Sequence, residues 1–415
     1  MPSLKRYISL GLFGLSLLCF NLSAKTIKVC PGCKYAKIGT AVDAADPFDT
    51  VLVAKGEYLE HGIKITKPLC LIGENYPKVN GEFKGEIITI FADSVTVDGL
   101  FLVNVGTSYT VDYAALRLVR CKYFDIKNLV LERLFFGIYL EKANHGRIFH
   151  NKIIGNAKDE YNSGNGIHLW YSHNIVVERN IVQKVRDGIY LEFSDSVSIS
   201  NNHSRENLRY GLHFMFSNND SYTNNIFDNN GAGVAVMFSK FIVMTNNVFK
   251  NNWGSTSYGL LLKEIYDAEI SNNRFIKNTT GINIEGSNRI NYTGNHFESN
   301  GWAIKVLGAC YANVFTQNNF INNSFDLSYN SKLNDNRFEG NYWSSYSGYD
   351  LDRDGIGDVP YRPVKLFSYI ANRTPESIVL LRSLFMDIID FSEKVSPVFT
   401  PDKLVDPYPS IKAIK

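Results

Sequence analysis

Methionine is scarce in this chain, with five in 415 residues, and opposite charges nearly cancel, 43 Lys and Arg against 41 Asp and Glu. A formal net charge of +2 lacks the basic footprint of a nucleic-acid surface, so no nucleic-acid partner is expected. After the first two dozen residues there is no apolar run long enough to span a bilayer, and the mature chain is expected to have no transmembrane segment. Cysteine is sparse too. Cys30, Cys33, Cys70, Cys121 and Cys310 follow the N-terminal segment, and an odd number cannot all pair internally. Cys30-Pro31-Gly32-Cys33 is a C-x-x-C with neither a second such pair nor a thioredoxin-like pattern around it. It reads either as a redox or soft-metal pair or as a local disulfide stiffening a turn. Cys70, Cys121 and Cys310 sit in apolar surroundings and read as core.

Against those absences stands a repeat. Residues 1–24 carry Lys5 and Arg6, an apolar run from Ile8 to Phe20 and the small pair Ser23-Ala24, the pattern of an export leader, which predicts a periplasmic mature protein. Further on, GLHFMFSNNDSYTNNIFDNN is followed by GVAVMFSKFIVMTNNVFKNN. A glycine opening a short alternating strand recurs at Gly137, Gly166, Gly188, Gly211, Gly233, Gly259 and Gly281, with Ala303 in the same place, at spacings of 22 to 29 residues. An asparagine column keeps step at Asn151, Asn180, Asn202, Asn225, Asn247, Asn273, Asn295, Asn318 and Asn336. This period is too short for helical hairpins and lacks leucine-rich spacing, whereas strands with Asn/Gly turns suit rungs of a parallel β-helix stacked about 4.8 Å apart. The asparagines are expected at a bend, in left-handed backbone, bonding along the stack.

Alternation sorts the faces. Positions one and three after each glycine are apolar and point inward, from Ile167/Leu169 through Leu212/Phe214 to Ile282/Ile284. Positions two and four face out as a surface ladder: Tyr139/Glu141, His168/Trp170, Tyr190/Glu192, His213/Met215, Ala235/Met237, Leu261/Lys263 and Asn283/Glu285. At the start, Tyr35 to Ala45 carries an apolar stripe and reads as a short helix capping the coil. After the repeat, Asp350, Asp352, Asp354 and Asp358 fall at positions one, three, five and nine of a loop with Gly355 at six, a spacing that converges oxygens on a calcium-like cation or else caps backbone N–H groups. Thr374-Pro375 then starts a helix whose apolar face, Ile378, Leu381, Leu384, Phe385, Ile388 and Ile389, either packs on the coil or docks a partner.

Register also separates the methionines. Met244 shares the inward column of Val177, Ile199, Ile270 and Phe315. Met215 and Met237 occupy equivalent outward positions on adjacent rungs, about 4.8 Å apart, with His213 roughly 6.6 Å along the strand from Met215. Thioether sulfur selects Cu(I), so these three form a candidate copper(I) site; an aromatic and methionine surface under a loop or partner is the plainer alternative. His168 lies two rungs from His213, too far to share an ion. Polysaccharide cleavage would need paired carboxylates, and Glu141, Glu192 and Glu285 stand on rungs too far apart. Glu192 with His213 stays open as an acid/base pair.

GLHFMFSN, GVAVMFSK, GLLLKE from Gly259 and the terminal NYWSSYSGYDLDRDGIGDVPYRP resemble the NosD family of exported β-helix proteins, from about Lys28 to the end. That resemblance implies a periplasmic subunit working with an ABC ATPase and its permease, receiving copper from a lipoprotein chaperone and helping to build the copper–sulfur centre of nitrous oxide reductase. The expectation is therefore an all-β, right-handed parallel β-helix over 25–345, an Asp-rich closing loop over 346–363 and a helical docking arm over 364–415. Its function is copper handling without enzymatic activity. A polysaccharide-binding or -modifying protein and the solute-binding subunit of an importer are the other readings.

Overall fold

The computed structural model describes residues 24–330, 335–380, 383–395 and 404–414; the expected leader lies outside them but for its last residue. The described chain winds into a parallel β-solenoid of about fourteen turns. Its three faces are sheets of 14, 12 and 13 strands, and every pairing within them is between strands of successive turns. The glycine phase read from the sequence is the register observed: Ile138, Ile167, Ile189, Leu212, Val234, Leu260, Ile282 and Ile304 are paired one to the next. Every one of them is fully buried. The glycines are needed because a Cβ on Gly233 would collide with the carbonyl oxygen of Gly259 on the next turn, and Gly137 meets Gly166 in the same way. Met244 is core, paired between Tyr222 and Ile270.

Two kinds of row run along the axis inside the coil. Aromatic rings stack from Phe227 through Phe249, Phe275, Phe297 and Phe320 to Trp343, with centroids 4.0 to 5.4 Å apart. At one bend each buried asparagine gives its backbone N–H and its side-chain amide to the side-chain oxygen of the asparagine one turn on. This runs from Asn151 through Asn180, Asn202, Asn225, Asn247, Asn273, Asn295 and Asn318 to Asn341. Two expectations are corrected here. Asn336 is not in this row; it accepts from Asn313 at a different bend. The left-handed residue is the one before each ladder asparagine, such as Asn201, Asn224 and Asn246 at φ 57 to 58°. The ladder asparagine keeps ordinary backbone and supplies the bonds.

At the N-terminal end, helix α1 (Ile38–Ala44) buries Ile38, Ala41 and Val42 against the first strands. The Glu60 carboxylate accepts its Ile38 and Gly39 N–H groups at 2.6 and 2.9 Å, an anion at the positive helix end. Cys30 and Cys33 form a disulfide across the turn before it. At the other end the asparagine row stops at Asp406, whose carboxylate accepts from Gly340 N, Asn341 N, Asn341 Nδ2 and Trp343 Nε1, all at 3.0 Å. It thus takes the place of the missing next asparagine. Tyr361 and Asp406 exchange backbone hydrogen bonds at 2.9 Å and close the base of a helical excursion. Within it, α2 (Leu366–Arg373) sets Phe367 and Ala371 against Trp302 and Phe325. The single helix expected from Pro375 is two pieces: a 3-10 stretch, Pro375–Leu380, and α3 (Leu384–Val395). Of its expected face, Leu381 lies outside the described residues, Ile389 packs toward α2, and Leu384, Phe385 and Ile388 are exposed together with Phe391.

Removing the Asp406 acceptor takes the partner from five N–H groups, of which the two of Asn341 and that of Trp343 belong to residues closed to water. Asp406→Ala is expected to destabilise the last turns by roughly 2–4 kcal/mol. In a solenoid each turn contacts only its neighbours, so hydrogen exchange will rise around Asn341 to Trp343 and stay unchanged near Asn202.

Candidate functional site

The outer face of the 12-stranded sheet carries the ladder expected from alternation, and its two columns differ. In the outermost column Glu192, Met215, Met237 and Lys263 are paired in register, all half-buried. The two thioether side chains are therefore immediate neighbours on successive turns, on the outside of the coil. Beside them runs a row absent from the sequence reading: Tyr171, Phe193, Phe216 and Phe238 stack at 4.7 to 5.1 Å. Each occupies left-handed backbone. Its signal was an aromatic directly after Trp170, Glu192, Met215 and Met237.

The second column is a correction. It was expected on the surface, yet Tyr139, His168, His213, Ala235, Leu261 and Asn283 are all buried. Stacking explains it, since each ring lies against the next turn: Tyr139 to His168 at 4.4 Å, His168 to Tyr190 at 4.7 Å, Tyr190 to His213 at 4.9 Å. Tyr210 closes over His213 at 4.7 Å. Among the described residues neither nitrogen of His213 has a hydrogen-bond partner, and both are buried. Its Nδ1 lies 4.0 Å from Oδ2 of Asp187, a fully buried carboxylate that accepts from Arg209 Nε at 2.9 Å and from Arg209 Nη2. Burial pushes the Asp187 carboxyl up, but His213 and Arg209 pull it down further, so it remains an anion. Asp187 was overlooked in the sequence, although it directly precedes Gly188 and thus stands at a fixed place in the repeat.

His168 has a different shell. Asn165 Nδ2 lies 3.2 Å from its Nδ1, and the Asn165 oxygen accepts from Arg186 Nε at 3.3 Å. Its Nε2 has no partner. Burial, with Arg186 adding to it, pushes the His168 ring down to about 3. Elsewhere on this face the carboxylates of Glu86 and Glu141 flank Arg117, which is bound to Glu86 through Nε and lies 3.8 Å from Glu141. Glu192 pairs with Met215 rather than His213, which leaves no acid facing that ring from its own strand pair. In the terminal loop, oxygens of Asp350, Asp352 and Asp354 lie within 4.8 Å of one another. Asp358 is not part of that group, because its carboxylate accepts from Leu351 N at 2.7 Å. Asp350 and Asp354 accept from Gly355 and Ile356 backbone N–H groups, as an Asx-turn cluster does.

Comparison with known proteins places the chain among relatives. A family profile described as "Periplasmic copper-binding protein (NosD)" matches residues 149–348. A Stutzerimonas stutzeri protein named "Probable ABC transporter binding protein NosD" is 27% identical over 86% of this chain and 85% of its own length. One of the same name from Pseudomonas aeruginosa is 28% identical over 90% and 93%. Among solved structures, the A-module of the Azotobacter vinelandii mannuronan C-5 epimerase AlgE6 matches with a TM-score of 0.60 at 14% identity, over 72% of this chain and 94% of that one. The Streptococcus pneumoniae surface protein and adhesin PfbA matches with a TM-score of 0.52 at 11% identity, over the same shares. At such identities the structural likeness establishes the solenoid fold alone.

A ring held neutral by burial makes the fold sensitive to acid. Between pH 6.5 and 3 the unfolded His168 takes up a proton that the folded one refuses, so stability falls as pH drops through that window. His168→Phe is expected to flatten the fall in melting temperature between pH 7 and 4, measured by circular dichroism.

Proposed function

We propose, for a chain that carries a NosD-family domain and is related to NosD proteins along most of its length, that it is an exported Cu(I)-handling protein without enzymatic activity. The observation that carries this reading is the register of Met215 with Met237, two thioethers side by side on the outer sheet face with His213 two residues before the first. Two soft sulfurs one strand spacing apart suit Cu(I) and little else among biological cations. The thioethers form the outer contact. His213 joins them once the covering tyrosines shift, because its nitrogens are closed to water. The neighbouring aromatic row keeps the ion's surroundings apolar, which favours a soft, weakly hydrated monovalent cation over hard ones.

In this reading the protein works in the periplasm with an ABC permease and its ATPase. It takes copper from a lipoprotein chaperone and delivers it toward the copper–sulfur centre of nitrous oxide reductase. The name shared by the two relatives supports the transporter association. No helix among the described residues is long and apolar enough to cross a membrane. The exposed Leu384, Phe385, Ile388 and Phe391 on α3 form an i, i+1, i+4, i+7 stripe that suits insertion into a groove of the permease. Asp350, Asp352 and Asp354 suit a calcium ion that would stiffen the loop beside the C-terminal tail. A sugar-processing role is less well supported: Glu86 and Glu141 are tied to Arg117 rather than free for acid and base work.

Titration of the mature protein with Cu(I) against a chelator tests the site. Met215→Ala and Met237→Ala are each expected to weaken binding by about tenfold or more, about 1.4 kcal/mol; unchanged affinity in both would remove the site. For the arm, replacing Leu384, Phe385 and Ile388 by serine should abolish co-purification of the permease while leaving the circular dichroism melt intact. Retained co-purification would assign those residues no docking role.

A further inference from the structure

We infer that Asp187 is a positioning residue for the copper ligand His213: it holds the proton on Nδ1, so that Nε2 keeps its lone pair for the soft cation. This rests on the Cu(I) reading above. The His213 ring lies against the Tyr190 and Tyr210 rings, which are neutral, and near the charged Asp187 carboxylate. Oδ2 of Asp187 lies 4.0 Å from Nδ1. A lone pair turned toward a buried anion is repelled and an N–H turned toward it is attracted, which selects the Nδ1–H tautomer. Asp187 cannot swing away, because Arg209 grips both its oxygens, Tyr210 N donates to Oδ1 at 3.3 Å, and Arg186 Nε stands 3.9 Å from Oδ2. Carboxylate–histidine–metal arrays fix ring orientation and raise ligand basicity through a hydrogen bond between the same groups, which here face each other at 4.0 Å through charge alone.

Two turns away the same sheet face holds the opposite case. The Asn165 oxygen is committed to Arg186, so its amide group donates to Nδ1 of His168 and the proton of that ring sits on Nε2. With its one free nitrogen protonated, His168 offers no lone pair. The two buried imidazoles therefore differ in tautomer although they occupy equivalent positions in the repeat, and only His213 is prepared to bind metal.

Nitrogen-15 NMR of histidine-labelled, metal-free mature protein reads this directly. The wild type is expected to show His213 protonated on Nδ1 and bare on Nε2, and His168 the reverse. Asp187→Asn, whose amide can present either atom to the ring, is expected to abolish the His213 preference and leave His168 unchanged, which also reports that the sheet is intact. Its Cu(I) affinity is expected to fall about 10- to 100-fold. A wild-type His213 protonated on Nε2 overturns the inference without any variant, and so does a tautomer that survives Asp187→Asn. A tautomer that changes while Cu(I) affinity does not would uphold control by Asp187 and overturn instead the assignment of copper to His213.

Discussion

Parallel stacking at one strand spacing, like residue over like residue, is the constraint from which the rest of this molecule follows. A chain that returns to the same azimuth every 22 or so residues places each side chain about 4.8 Å from its equivalent on the next turn. Apolar equivalents then form a continuous core and aromatic equivalents a stack. Polar equivalents must satisfy one another along the axis, since no water reaches them. The asparagine row does this by using both amide groups of each residue, so that every member serves the turn before it and depends on the turn after. Such a row has an end problem, and a carboxylate solves it: Asp406 accepts from the last asparagine and, having no side-chain N–H of its own, needs no further acceptor.

Stacking equally generates the outer face. A pair of sulfurs one strand apart needs no special loop or fold; it needs methionine at the same phase in two consecutive repeats. The same rule puts a row of aromatic rings beside them and buries the imidazoles between tyrosines. Function in a solenoid of this kind is a matter of which column a residue falls in, and the chemistry of a column changes along the axis. From Tyr139 to His213 it is aromatic and ionisable, at Ala235 and Leu261 it is apolar, and at Asn283 it is polar again.

Much of this was legible beforehand, and the exceptions have physical reasons. Phase, inward columns and the adjacency of Met215 and Met237 are properties of spacing, which a sequence displays without ambiguity. Asn336 was placed wrongly because a second asparagine row runs at another bend, and 336 precedes by five residues the true continuation at Asn341. Asp406 could not be found by periodicity at all, since it returns from 65 residues beyond its partner. The burial of His213 and His168 was missed because alternation says which way a side chain leaves the strand, not what its neighbours on other turns will cover. Asp187 was within reach: it stands one register step, 22 residues, before Arg209. The expected helix opens at Pro375 as 3-10 winding, and Thr374, whose backbone at φ −133° and ψ 81° ends α2, separates it from that helix.

The central claim is that phase alone brings two thioethers together as a copper site. Copper K-edge X-ray absorption of the Cu(I)-loaded mature protein, with Cys30 and Cys33 oxidised, tests it most directly. The account predicts a first shell dominated by sulfur with one imidazole nitrogen, and loss of the sulfur shell in the Met215→Leu/Met237→Leu double variant. A shell of nitrogen and oxygen only, or a sulfur shell that persists in the double variant, would contradict it.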